Sequence, residues 1–190
     1  ERGDAVDTNM VFRTIGYPLV IMPMMVVFGT AWASATAILQ SLVSVAALIP
    51  VLRVTETVTN RAWAGRLVLV LYTMSGSLLY DQAILTDSLN ASIFILVAFT
   101  LIGWGCGLWR LGLWRILGLG VAYGLGIWMR EAGLYLAVIP LGLILVAALR
   151  RRVMFGENAL RLIVTRASVF VLAIANTGGS RLLTYAASGA

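Results

Sequence analysis

Two aspartates, Asp81 and Asp87, stand six residues apart in the stretch YDQAILTDSL of a strongly apolar chain. Carboxylates of this kind can hold a divalent cation or orient the hydroxyl groups of a ligand. They also end and cap helices at a water interface, and Thr86 or Asp87 directly before SLNASIFIL suits an N-cap. The choice between these roles depends on the elements that carry the two residues.

Two further patches contain arginine. FRTIGYPL contains Arg13, and WMREAGLYL contains Arg130, which is followed by Glu131. The planar guanidinium group of arginine pairs bidentately with phosphate oxygens. If the three patches lie on the same side of a membrane, their arginines favour an anionic substrate that carries a phosphate. The acids beside them could then hold a cation or orient hydroxyl groups.

The composition of the chain is that of a membrane protein. The chain has 190 residues, of which 61% are hydrophobic and 12% charged, and its mean hydropathy is +0.95. No charge occurs from Thr14 to Leu52 or from Ser88 to Trp109. Apolar runs of roughly 20 residues are what a helix needs to cross a hydrocarbon core. We therefore expect an all-α fold, a polytopic bundle of transmembrane helices.

Several classes of site are excluded or disfavoured by residue counts. The chain has no histidine, which removes Ser-His and Cys-His dyads and every imidazole metal ligand. Its one cysteine, Cys106, cannot form a disulfide within the chain. The basic excess of 14 over 8 is dispersed between apolar runs, so we expect no nucleic-acid partner.

The arginines predict the orientation, because the short cytoplasmic loops of membrane proteins are enriched in basic residues. Arginine-rich connections occur around 53–66, 110–115 and 150–161, and we place them inside. The segment before Tyr17, the stretch 80–87, the short connection 129–131 and the end from Gly179 then lie outside. Six of the eight acids fall on that outer side.

The apolar runs predict about six spanning helices and one short interfacial helix within a single domain, 1–190. The interfacial helix is expected near 17–28. The spanning helices are expected near 31–52, 63–80, 88–108, 116–130, 132–149 and 162–178. Residues 1–30 would then hold the end of an outer loop and the interfacial helix, and 179–190 the start of another outer loop. The glycines of LGLGVAYGLG predict close packing between helices, and the chain reads as a fragment of a longer protein.

The order of the motifs in the chain resembles that of a known family. FRTIGYPLVIMPMMVVFG, AILQSLVSVAALIPVL, LLYDQAILTDSL and LGLGVAYGLGIWMREAGLYLAVIPLGLIL follow one another as in the GT-C superfamily of polyprenyl-phosphate-sugar-dependent glycosyltransferases. The chain resembles the branch related to protein O-mannosyltransferases and the aminoarabinose lipid A transferase. The resemblance covers about residues 12–150, and departs from the family pattern at Ile15 and Glu131, where proline is common.

The resemblance implies a sugar transferase with an extracytoplasmic active face. It implies a polyprenyl-phosphate-linked sugar donor and a lipid, glycan or protein acceptor, and it leaves a divalent cation open as a cofactor. Asp87, inside the matching LTDSL, would be an auxiliary acid, and the family's catalytic base lies further upstream than Asp7, so Asp4 and Asp7 are weak stand-ins. The residues expected to contact substrate or phosphate are Arg130, Arg13, Tyr17, Asp81 and Glu131.

Two alternatives from other classes stay open. A transporter or flippase would use the outer charges to line a substrate path, and would favour charges in mid-helix or inverted repeats. A structural membrane subunit would use the outer acids only as caps. For the enzyme, we expect an integral protein of a bacterial inner membrane.

Overall fold

The structure is a computed structural model that describes residues 16–74, 86–129, 137–156 and 158–188. Side chains are described within these ranges except at 16–17, 19–20, 86–87, 128 and 178–188. Every regular element in these ranges is helical, which confirms the predicted all-α class.

Seven α-helices follow one another along the described chain, with a short 3-10 turn at Gly29–Ala31 between the first two. Their bounds are α1 Gly16–Phe28, α2 Trp32–Thr59, α3 Ala62–Met74, α4 Thr86–Gly105, α5 Leu113–Met129, α6 Val138–Phe155 and α7 Ala159–Ser188.

Among the described residues, three helical segments are long and apolar enough to cross a membrane: Ile21–Thr59, Ser88–Gly105 and Ala159–Thr177. Two shorter apolar helices accompany them, Ala62–Met74 and Leu113–Ile127. Large apolar side chains are exposed along the outside of the bundle, including Val26, Val153 and Leu160. Exposed apolar surface on this scale marks a contact with lipid or with another apolar partner, and these features support a membrane protein.

Several predicted boundaries are wrong. Helix α2 does not end at 52 beside Pro50 but continues to Thr59, where Asn60 closes it with a left-handed φ of 52°. Neighbouring helices can compensate a proline inside a membrane helix. Helix α6 continues through the three arginines 150–152, which were predicted to lie in a loop, and ends at Gly156 with φ 65°.

The last helix also differs from its prediction. It begins at Ala159, where the Asn158 side chain accepts a hydrogen bond from the Arg161 backbone N–H at 3.1 Å and so caps the helix. It continues to Ser188, so residues 179–188, predicted as the start of an outer loop, are helical.

The core lies among α4, α5, α6 and α7, with Leu101, Ile116, Ile144 and Phe170 fully buried. Helix α4 also packs against α2, and a buried hydrogen bond of 2.8 Å joins the hydroxyls of Ser44 and Ser92 across that contact. Polar bonds of this type hold apolar helices together where burial of hydrocarbon gives no net driving force.

Glycines allow the closest helix contacts. A Cβ added at Gly120 would lie 2.6 Å from the Cβ of Ala173 and 3.0 Å from the carbonyl oxygen of Phe170, and one added at Gly124 would overlap Thr177. The α5–α7 contact therefore depends on the spacing of these two glycines, as the glycine pattern predicted. Gly118, in the same stretch, has nothing within 4 Å of an added Cβ.

Candidate functional site

Most of the site residues predicted from the sequence lie outside the described residues. These are Asp4, Asp7, Arg13, Asp81, Arg130 and Glu131. Tyr17 and Asp87 lie in described helices, at the starts of α1 and α4, but their side chains are not described. The roles predicted for these eight residues therefore stay predictions.

The start of α4 and the end of α5 meet at one end of the bundle. An added Cβ at Gly126, near the end of α5, would lie 2.7 Å from Oδ1 of Asn90, near the start of α4. The first turn of α4, with Asp87, and the last turn of α5, which precedes Arg130, are therefore neighbours. Helix α1, which begins beside Tyr17, packs against α2 and α5. We call this end of the bundle the predicted outer end.

At the opposite end, the predicted inner end, the structure brings together arginines that the sequence pattern had suggested only as topology signals. A cavity of about 630 Å³ lies where α4 ends, α5 begins and α6 ends. We call it the arginine recess. The residues that define it are Trp104, Arg110, Leu111, Arg151, Phe155 and Arg166.

Arg151 is the most buried charge of the recess, with 8% of its surface exposed. Its Nη1 donates a hydrogen bond of 3.1 Å to the carbonyl oxygen of Trp104. That carbonyl lies in the last turn of α4, where the aligned peptide dipoles place partial negative charge. The guanidinium carbon also lies 5.0 Å from the Phe155 ring centroid and 5.8 Å from that of Trp104.

Arg166 reaches the same indole from α7, with its guanidinium carbon 5.1 Å from the Trp104 ring centroid. Two cations thus share one aromatic ring, each gaining about 0.5 to 2 kcal/mol from the ring quadrupole. The Arg166 side chain is only partly exposed and lines the recess.

Two further cavities adjoin the recess. One of about 470 Å³ shares Gly112 and Arg166 with it and adds Arg161. The other, of about 520 Å³, is almost entirely apolar, lies among α2, α4 and α5, and shares Leu111 with the recess. We call this second cavity the apolar groove.

No acidic side chain occurs among the described residues that line the recess. Within the described part of the chain, no group of three or more His, Cys, Asp or Glu could hold a metal ion. What the recess offers chemically is a set of fixed positive charges with access to an apolar groove. The arrangement suits a phosphate or another oxyanion.

Sequence reasoning missed the recess for a physical reason. Arg151 and Phe155 have i, i+4 spacing, so they share a helix face, and that was the one local signal available. The contact with Trp104 joins residues far apart in the chain and follows from helix packing.

In comparisons with known proteins, no family model, curated protein or solved structure matches the chain.

Proposed function

We propose that the chain is part of an integral-membrane glycosyltransferase that moves a sugar from a polyprenyl-phosphate carrier to an extracytoplasmic acceptor. The proposal rests on the order of the GT-C-like motifs in the sequence. The structural observation that supports it is the close approach of Gly126 to the Asn90 side chain, which brings the start of α4 near the end of α5.

The proposed chemistry assigns the charges at the predicted outer end. A carboxylate acts as the general base and takes the proton of the acceptor hydroxyl. Asp4 and Asp7 are only weak candidates for this carboxylate. The hydroxyl oxygen attacks the anomeric carbon, and the carrier phosphate leaves with the bonding electron pair. Such a displacement needs a base near the nucleophile and positive charge near the departing phosphate.

Arg130 is the proposed contact to the carrier phosphate, and Asp87 is the proposed auxiliary acid that orients the sugar or a divalent cation. Arg13 and Tyr17 would form the rim of the site. Asp81 and Glu131 complete the set of charges expected near the substrate.

The proposal includes a bundle of about six spanning helices in a bacterial inner membrane. Helices α3, α5 and α6 would join the three long apolar segments as the further spans. Helix α3 has 13 residues and α5 has 17, which is short for a bilayer. Snorkelling arginines such as Arg66 and Arg115, both exposed, would extend them on the inner side.

Arg130→Ala tests the phosphate role in the intact protein. Removing one preorganised positive group from a departing oxyanion costs on the order of 10²-fold or more in rate. We therefore expect transfer from a radiolabelled polyprenyl-phosphate sugar to fall by about that factor. Arg61→Ala, an exposed arginine at the predicted inner end, is the matched control and should keep wild-type transfer.

Equal rates for Arg130→Ala and wild type would remove Arg130 from the site.

A transporter or flippase is the second candidate, favoured by one observation: Arg166 lies inside a helix long and apolar enough to span a membrane. Under that reading the intact protein would move a lipid-linked substrate between leaflets and form no new glycosidic bond.

A further inference from the structure

The arginine recess has no part in the proposed transfer chemistry. It contains three guanidinium groups, Arg110, Arg151 and Arg166, at the end of the bundle opposite Asp87. Helix α4 separates the two ends, and its 20 residues make it about 30 Å long at 1.5 Å per residue. A ligand in the recess is therefore remote from the predicted outer end.

Specific contacts hold the arginine side chains of the recess in place. Arg151 is more than nine-tenths buried, and the Trp104 carbonyl and the Phe155 ring fix its guanidinium group. The guanidinium carbon of Arg166 lies 5.1 Å from the centroid of the same indole ring. Positioned guanidinium groups lose little conformational entropy when an anion binds, and this preorganisation favours binding.

Charge makes an anion the expected ligand. The side chains of Arg110, Arg151 and Arg166 line one cavity, and guanidinium groups that converge in this way can donate several charge-assisted hydrogen bonds to one oxyanion.

The apolar groove suggests where the anion comes from. Leu111, only 3% exposed, lines both the groove and the recess. Exposed Trp114 and Phe155 flank this end of the bundle, and aromatic side chains are enriched at the headgroup level of membranes. Basic pockets between membrane helices on the cytoplasmic side are known binding sites for anionic headgroups.

We propose that the arginine recess binds a phosphate group, with an anionic phospholipid as its source: the headgroup phosphate lies among Arg110, Arg151 and Arg166, and an acyl chain enters the apolar groove past Leu111. This site is independent of the transfer activity, so either proposal can fail alone.

The test uses the intact protein in phosphatidylcholine nanodiscs, with and without a minor fraction of phosphatidylglycerol. Bound lipid is counted by native mass spectrometry, and the thermal unfolding midpoint is followed by tryptophan fluorescence. A lipid that binds only the folded state raises that midpoint. The key variant is Arg110→Gln with Arg166→Gln, which leaves the buried Arg151 intact.

We expect wild type to retain phosphatidylglycerol and gain thermal stability from it. Each lost charge-assisted hydrogen bond should weaken this binding about tenfold. The control, Arg150→Gln with Arg152→Gln, removes the same charge from exposed positions at the same end of α6 and should bind like wild type.

A second arm titrates inorganic phosphate into protein in phosphatidylcholine alone. Stabilisation by phosphate that the key variant loses would uphold the phosphate site but make free phosphate its source. The proposal is overturned if neither probe stabilises wild type, or if the key and control variants lose binding equally.

Discussion

Arg150, Arg151 and Arg152 are adjacent in the sequence and have different environments. Arg150 and Arg152 are exposed, whereas Arg151 is buried against Trp104 and Phe155. Charge counting placed all three in a loop, which is wrong because α6 continues through them. It cannot tell which member turns inward, because that depends on where α4 packs against α6.

The hydrogen bond between Ser44 and Ser92 gives a prediction at the same scale. Ser44→Ala and Ser92→Ala should each lower the free energy of unfolding, with a coupling energy of about 0.6 kcal/mol in a double-mutant cycle. The measurement is the unfolding equilibrium in mixed detergent and SDS.

Ser34→Ala is the control, since Ser34 is exposed on the same helix. If Ser44→Ala and Ser92→Ala prove strictly additive, the 2.8 Å bond between them contributes nothing to the α2–α4 contact.

At the scale of elements, apolar run length predicted every described helix but not all of the ends. Helix α2 continues past its expected end through a polar last stretch, in which the hydroxyls of Thr57 and Thr59 donate hydrogen bonds to the carbonyls of Arg53 and Thr55, at 2.9 and 2.7 Å. Helix α6 is longer because arginine is a good helix former and is stabilised near a helix C-terminus. Hydropathy alone registers neither effect.

The glycines of α5 give a matched pair of element-scale predictions. Gly120→Ala would press a methyl group against Ala173 and the Phe170 backbone, and overpacking of this kind costs about 1 to 3 kcal/mol. Gly118→Ala meets no atom within 4 Å and should be neutral or stabilising by up to about 1 kcal/mol. Unfolding in SDS measures both.

Similar unfolding midpoints for the two alanine variants would mean that α5 and α7 do not approach each other closely at Gly120.

For the whole molecule, the same bundle carries two chemically different ends. The predicted outer end joins the start of α4 to the end of α5, and the predicted inner end holds the arginine recess. The charge pattern predicted the first from sequence, and it stays a prediction because most of its side chains lie outside those described. The arginine recess could not be predicted in this way, because its arginines converge only through the packing of three separate helices.

The orientation predicted from the arginines can be checked by labelling. In a Cys106→Ala background, Gln82→Cys should react with a membrane-impermeant maleimide in intact cells. Thr59→Cys, exposed at the end of α2, should react only after permeabilisation. The reverse pattern would invert the topology and place Asp87 on the cytoplasmic side.

The central claim, sugar transfer at the predicted outer end, is tested most directly by single-turnover transfer from a polyprenyl-phosphate sugar, comparing Asp87→Asn with Asp81→Asn in the intact protein. The account predicts that wild type transfers sugar, that Asp87→Asn loses on the order of 10²-fold or more in rate, and that Asp81→Asn loses far less. Absence of transfer by wild type, or full activity of Asp87→Asn, would contradict it.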